Sequence, residues 1–424
     1  MSPESKPSIR AALALLRPGP FRRYIVGTAI SDTGTWMQVM AQGWLMSTLT
    51  NKAILLGMAN FAAGLPMLAL TMIGGSAADR CDKRKILVAT QVVQIAFALL
   101  LGALIMSGRI QIWHVIVVSF LLGTAFAFEM PALSALVPEL VRREEIGSAI
   151  AFDRAVFHGA RLVGPAVAGF IVALWGTATA FFVNAFSFLA LIAAFLSLPP
   201  RPAGTVEEEQ KRASGIKDGF RYVAADRTML AMVSLIAVTT VFIFPVISVM
   251  MPLYVRNELG FGPDRMGFLM AMSGIGAVAG AVGLLSIARG KRLAWILAGV
   301  IAVACGVLVL AGTHSFALAA PSLTMISLGL SMNFGLANTI VQERAPAHLR
   351  GRISAVMGLS FFGLMPIAGL VVTSLSDLIG MRRALATAAI AYGLGALFIV
   401  SRAARNISRI PVLEKSEAEA VTAA

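Results

Sequence analysis

Charge is scarce along this chain: Asp, Glu, Lys and Arg make up 13% of its 424 residues, against about one-quarter in an ordinary soluble domain. That scarcity, with 58% of residues hydrophobic, excludes a water-soluble globular fold. Cysteine is nearly absent. Cys81 and Cys305 are the only two, one in a basic loop and one inside an apolar run, so there is no disulfide framework. Four histidines (His114, His158, His314, His348) are scattered and set no metal-ligand spacing. No G-x-x-x-x-G-K-[ST] phosphate loop occurs, which excludes a nucleotide-driven pump of that kind. No cluster of His, Cys and carboxylates suggests membrane-embedded hydrolysis, so the expectation is a non-enzyme without metal or cofactor. Alternating ten-residue segments, the mark of a membrane barrel, are missing too. The first apolar run is too long for a cleavable signal, contains Asp32, and lacks a small-residue cleavage site.

What the chain does have is apolar runs of about 20 residues, the length a helix needs to cross the hydrocarbon core. Lipid offers the backbone no hydrogen bonds, so such runs must be helical. They fall near 24–49, 54–77, 86–106, 112–137, 149–174 and 178–198, then 229–254, 266–288, 293–311, 317–340, 353–375 and 384–400. The 35 Lys and Arg outnumber the 21 Asp and Glu, and their placement matters more than their sum. With the N-terminus inside, alternate loops hold Arg10, Arg17, Arg22 and Arg23, then Arg80, Lys83, Arg84 and Lys85, then Arg289, Lys291 and Arg292. The positive-inside rule therefore predicts two cytoplasmic termini, and the basic excess is a topology signal rather than a nucleic-acid footprint.

Residues 199–227 interrupt the pattern: Pro199, Pro200 and Pro202 stop the sixth run, and Glu207, Glu208 and Glu209 mark a solvated linker. Its later part, with Ile216, Phe220, Tyr222 and Val223, reads either as a short amphipathic helix on the membrane surface or as plain linker. The organisation expected is a cytoplasmic segment 1–23, a six-helix bundle 24–198, the linker 199–227, a second bundle 228–400, and a cytoplasmic tail 401–424. The halves echo each other. GPAVAGFIV from Gly164 matches MPIAGLVV from Met365, and GSAADRCDKR from Gly75 matches GLLSIARGKR from Gly283, both about 200 residues apart. Parallel repeats of this kind place a substrate site between the bundles near the midplane.

The loop after the second run reads Gly75-Ser-Ala-Ala-Asp79-Arg80-Cys-Asp82-Lys83-Arg84-Lys85. It resembles the G-x-x-x-D-R-x-G-R-[KR] loop of the major facilitator superfamily, with Asp82 in place of the family's glycine. The resemblance covers nearly the whole chain and implies an all-α membrane protein: twelve transmembrane helices in two six-helix bundles. It also implies that Gly75, Asp79, Arg80, Lys83 and Arg84 form a latch, with Asp79 facing the start of the eleventh helix near Gly351 and Arg352, an attraction the helix dipole favours. The fifth run carries Gly159, Gly164, Pro165 and Gly169. A Gly-Pro-rich fifth helix is typical of exporters in the superfamily, and glycines there let neighbouring backbones approach closely. The stretches PALSALVPELV, Asp153 through Arg161, and LRGRISAV resemble the siderophore (enterobactin) exporter-like and drug-efflux branch more narrowly.

Ionisable groups inside a bilayer are costly and mark function by default. They are Asp32, Glu129, Asp153, Arg154, His158 and Arg161. Arg154, His158 and Arg161 share one helix face at i, i+4 and i+7, and need acids nearby. Asp32 lies near mid-membrane, with Gln38 and Gln42 following on what reads as a cavity wall, and is the leading proton-coupling candidate. The arginine that many proton-coupled exporters carry in helix four is absent here; Arg154 and Arg161 are the candidates to substitute for it, and nothing in the sequence shows that either does. The function expected is proton-coupled export of small amphipathic, drug- or siderophore-like molecules by alternating access. The expected setting is a bacterial inner membrane, with the chain working as a monomer whose partners are cargo, protons and lipid. An uptake permease of the same fold, and a non-transporting sensor on a transporter scaffold, are the competing readings.

Overall fold

The structure is a computed structural model, and it describes residues 15–198, 216–346 and 348–407. The linker prolines and the Glu207–Glu209 run, the first residues including Arg10, and the tail beyond 407 lie outside the described residues. Everything described is helix or short connection. The elements are α1 (Pro20–Leu49), α2 (Ala53–Arg80), α3 (Lys83–Met106), α4 (Ile112–Leu136), α5 (Ile146–Trp175), α6 (Thr177–Leu196), α7 (Ile216–Ala225), α8 (Arg227–Phe242), α9 (Phe244–Ser248) and α10 (Met251–Leu253). After a π-turn at Tyr254–Glu258 come α11 (Pro263–Gly283), α12 (Arg292–Gly312), α13 (Phe316–Arg344) and α14 (Arg350–Gly358). A second π-turn, Leu359–Gly363, leads to α15 (Met365–Ile379) and α16 (Met381–Ile407).

Among the described residues, eleven helical runs are long and apolar enough to cross a membrane. α1 is not one of them, although its 30 residues span about 45 Å at 1.5 Å per residue. Asp32, Gln38 and Gln42 lie on it and lower its apolarity, and an ionisable group in a span such as Asp32 marks function by default. Large apolar side chains cover the outside: Met72, Phe170, Phe186, Leu378 and Leu394 are all exposed, as they must be where lipid is the solvent.

Helix ends are fixed by short polar residues. The Asp82 carboxylate accepts from the Arg84 backbone N–H at 3.0 Å and starts α3. Asp226 accepts from Thr228 and Met229 and starts α8, while its second oxygen receives Arg344 Nε at 2.8 Å. Asp82, the departure from the family glycine, thus has a local job as a helix cap. The turns after α5 and α15 are made by Gly176 (φ 83°) and Gly380 (φ 90°). Positive φ favours glycine, and the two turns lie about 200 residues apart, the offset of the sequence echoes.

Between helices the contacts are made by small residues, as expected where hydrophobicity cannot drive association. A Cβ on Gly74 would strike the Ala127 carbonyl, and one on Gly123 the Ala63 carbonyl, so α2 and α4 run backbone to backbone. Gly276 and Gly280 do the same for α11 against α13, at Thr324 and Leu328. α1 packs on α5 and α6, α3 on α4 and α6, α8 on α13 and α16, and α12 on α13 and α16. The helices up to α6 and those from α8 onward meet chiefly along two lines, α5 against α11 and α2 against α15.

Candidate functional site

One wall of the candidate site is built on α1 and α5. Gly164 lets α5 close on α1: a Cβ there would sit 2.7 Å from Trp36 Cβ and 2.8 Å from the Thr33 carbonyl. The approach stands the Trp36 ring edge-on to Phe157, with centroids 5.8 Å apart. It also brings the Arg161 guanidinium to 5.2 Å above the Trp36 ring, a cation–π contact worth about 0.5–1 kcal/mol where solvated and more where dry. Arg154, His158 and Arg161 are all exposed along one stripe of α5, and His158 stacks edge-on to Phe157. Asp32 is half-buried on α1 and close enough to Asp153 for their charges to interact. Asp153 itself accepts a 2.7 Å hydrogen bond from the buried Tyr24 hydroxyl.

The acids and bases are therefore neighbours but not pairs. Among the described residues, no ion pair joins Arg154, His158 or Arg161 to Asp32, Glu129 or Asp153. Arg161 takes an aromatic face and Asp153 a phenol. Glu129 is buried between α4 and α3, where Gln91 and Gln94 donate to its two oxygens at 2.7 Å each. The amides of α1 also serve packing. Gln38 is 7% exposed and accepts from Asn184 of α6 at 2.7 Å, so it faces a neighbouring helix rather than a cavity. Gln42 donates to Ser119 of α4 at 2.9 Å.

A separate cluster on the second half is aromatic. Phe244 in α9, Phe334 in α13 and Phe361 in the π-turn before α15 form a half-buried triad with centroid separations of 4.6, 5.2 and 5.6 Å. Edge-to-face packing fits the ring quadrupoles. The prolines and π-turns that interrupt these helices free their backbone locally, a feature tolerated in membranes where irregular backbone is covered by protein or lines a cavity.

The seams between the two halves lie toward one end, that of the α1–α2 turn. Asp377, in the last turn of α15, accepts from the backbone N–H groups of Ala53 (2.7 Å) and Ile54 (2.8 Å) at the first turn of α2. Arg256 donates to the Ser47 carbonyl and to Asn51. Below, Gly57 lies against Thr373 and Gly64 against Pro366. On the other line, a Cβ on Gly169 would come within 2.7 Å of the Pro263 carbonyl and 2.9 Å of Gly267 Cα, and Gly274 meets Leu162. Pro165 turns its carbonyl to Gly267 across the same seam. Gly159, by contrast, has open space where a Cβ would go.

At the opposite end, among the described residues, no hydrogen bond or ion pair joins the latch residues to the other half. Lys83 pairs with Glu139 at 3.1 Å and Arg84 donates to the Leu198 carbonyl at 2.8 Å, both within the first half. Gly75 has open space around it. No hydrogen bond or ion pair joins Asp79 to the start of α14 among the described residues. Arg352 there reaches Asp218 of α7 instead, at 3.1 Å, and Gly219 of α7 packs on the Arg352 backbone.

Sequence reasoning missed Asp377 and the phenylalanine triad. Asp377 carries a usable signal: an acid in the last turn of a helix opposes that helix's own dipole, so it needs a donor elsewhere. The phenylalanines carry none, since apolar rings are ordinary in any membrane helix.

The transmembrane secretion effector family matches residues 10–422. The multidrug efflux pump Tap of Mycolicibacterium fortuitum is 26% identical over 376 residues, covering 86% of this chain and 90% of that protein. The staphyloferrin A transporter of Staphylococcus aureus (strain NCTC 8325 / PS 47) is 27% identical over 250 residues, 58% of this chain and 62% of that one. Among solved structures, a bacterial homolog of the human lysosomal transporter Spinster, inward-facing and occupied, superposes with a TM-score of 0.69 at 12% identity, over 91% of this chain and 97% of that one.

Proposed function

Because the chain belongs to the major facilitator superfamily, within its transmembrane secretion effector family, and is a membrane transporter rather than an enzyme, we propose that it exports small amphipathic molecules by alternating access, driven by protons. The observation that carries this reading is the one-ended seam. The halves are held at Ala53–Asp377 and Gly169–Gly267, while among the described residues Asp79 makes no such bond. In this reading α1 is the twelfth crossing, and the bundles are 24–198 and 228–400. The termini lie in the cytoplasm of a bacterial cell, with the closed end outside. One chain contains both walls of the cavity and works as a monomer.

The walls supply the cargo chemistry. Arg161 over Trp36, with Arg154 on the same stripe, offers cations, His158 between them offers an imidazole, and Phe244, Phe334 and Phe361 offer aromatic faces. Such a pairing suits a flat aromatic body bearing anionic or polarisable oxygens. Gly75, Asp79, Arg80, Lys83 and Arg84 close the second end in the alternate state, with Gly164, Pro165 and Gly169 as the surface on which α5 rolls. Asp32, facing the cavity without a cation partner, takes up a proton from one side and loses it to the other. Binding energy moves the halves only by its difference between the two states, and a proton on Asp32 changes that difference.

Uptake of labelled amphipathic compounds into inverted membrane vesicles under an imposed pH gradient tests the reading. Uptake should collapse with a protonophore and in Asp32→Asn. Gradient-driven uptake that survives in the variant removes Asp32 from coupling while keeping the exporter. Cargo that moves only in the opposite direction sinks export.

A further inference from the structure

Glu129 lies in the last third of α4 and is 6% exposed. Gln91 and Gln94, three residues apart on one face of α3, are 0% and 2% exposed. Each amide nitrogen donates to a different carboxylate oxygen at 2.7 Å. An ionised carboxylate buried in a membrane usually has a cation, and among the described residues none lies within ion-pair distance of this one. From α1 the charge that reaches it is that of Asp32, another acid. α2 brings its backbone against Ala127 and Phe128 at Gly74, with Asp79 and Arg80 at its far end. α6, packed on α3, contains no titratable residue. Lys83, Arg84 and Lys85 begin α3, and the first two are taken by Glu139 and the Leu198 carbonyl.

One atom in this cluster is unmet. The Gln91 side-chain oxygen is fully buried and has no donor, which leaves its desolvation uncompensated. Flipping the amide does not help, because its oxygen would then face an anionic oxygen. A proton on Glu129 does. The carboxylic acid O–H donates to Gln91 Oε1, closing an amide–acid ring with the existing Gln91 Nε2–H to Glu129 Oε1 bond. The protonated oxygen keeps a lone pair for Gln94. Each hydrogen-bonding atom of the three side chains that the ionised form leaves short is then met, and no net charge is left in the hydrocarbon.

We infer that Glu129, clamped by Gln91 and Gln94, is a proton-binding site, loaded in the conformation described here. The inference rests on the proton-driven reading and deepens it. Asp32 is the cavity-side acid that exchanges with water, and Glu129 is the dry site behind it, at the α3–α4 interface. Losing the proton restores a buried anion and an orphaned amide oxygen together, so unloading favours rearrangement of α3 against α4.

Infrared difference spectroscopy on the full chain in lipid, stepped in pH, tests this. Wild type should show a protonated-carboxyl stretch that titrates. The band should be missing in Glu129→Gln, displaced in Gln91→Leu where the ring cannot close, and retained in Asp32→Asn. In proteoliposomes Glu129→Gln should lose gradient-driven accumulation, down to the level a protonophore leaves, and keep cargo exchange. A wild-type protein with no such band, survival in Glu129→Gln of the band that Asp32→Asn retains, or a carboxylate signal that answers to sodium ions and not to pH overturns the inference. If the band is absent while vesicle uptake still follows the pH gradient, the site is wrong and the exporter stands. If the band is present while uptake ignores the gradient, proton-driven export fails and the site stands.

Discussion

Replacing Asp377 by Asn should open the end of the molecule that is now closed. Asp377 sits two residues from the end of α15, where its charge opposes the dipole of its own helix. Its carboxylate holds two backbone N–H groups that α2 leaves without intrahelical partners. An amide keeps one acceptor and loses the charge; an alanine loses both bonds. Capping substitutions of this kind cost about 0.5–2 kcal/mol, and because Asp377 is exposed the figure belongs in the lower half, about 1 kcal/mol. That is roughly a fivefold change in the ratio of closed to open states, and Asp377→Ala should exceed Asp377→Asn. Spin or fluorophore pairs across the seam, for example at Asn51 and Asn257 (which lie within 3.4 Å), read the ratio directly. Both native cysteines, Cys81 and Cys305, are free and exposed and must first be replaced. The variants should show a second, longer distance at the seam. An unchanged distance distribution in Asp377→Ala, with the protein folded, would refute the idea that this clamp sets the state.

The other substitutions probe the second seam and the cavity wall. Gly169→Leu drives a side chain into the backbone of α11 at Pro263 and Gly267, where nothing flexible can yield. Transport should be abolished with little loss of thermal stability, since the halves can separate, and a variant that transports normally would count against closure along this line. Arg161→Ala should weaken an anionic aromatic cargo by about tenfold, roughly 1.4 kcal/mol, and leave a neutral analogue nearly unaffected; paired KM measurements decide it, and equal losses for both cargoes would mean that Arg161 only positions Trp36.

The helices and their order were legible because a bilayer permits few alternatives: a run of about 20 apolar residues must be a helix. α1 was the hardest to read by apolarity alone, since Asp32, Gln38 and Gln42 make it the polar one. The candidate site was legible as a set of residue types, since few charges occur inside the apolar runs. Their partners were not. Sequence reasoning expected acids to neutralise Arg154 and Arg161, and the structure gives Arg161 a tryptophan, Asp153 a tyrosine and Glu129 two glutamines. The partners sit on other helices, and which faces meet depends on where glycines such as Gly164 and Gly74 permit close approach. Gln38 shows the same limit: its i+6 spacing from Asp32 does not say that α6 brings Asn184 to it.

The two aspartates at the ends of α2 and α15 connect these observations. Asp79 is one residue from the end of α2, and Asp377 two residues from the end of α15. Each is placed where its own helix dipole is least favourable, so each gains most from a foreign helix start. For Asp377 that start is the first turn of α2, at Ala53 and Ile54. For Asp79, by the family resemblance, it is the first turn of α14, the helix that leads through the π-turn into α15. The same two helical runs therefore carry a donor end and an acceptor end each, arranged head to tail across the seam. Simultaneous closure of both ends would seal the Arg161–Trp36 wall from water on both sides. Closure of one end, as at Ala53–Asp377, leaves the other carboxylate without a helix start to face. In the proposed alternating-access cycle such a molecule would have two low-energy arrangements rather than one, and cargo and proton would supply only the small difference between two clamps of the same kind.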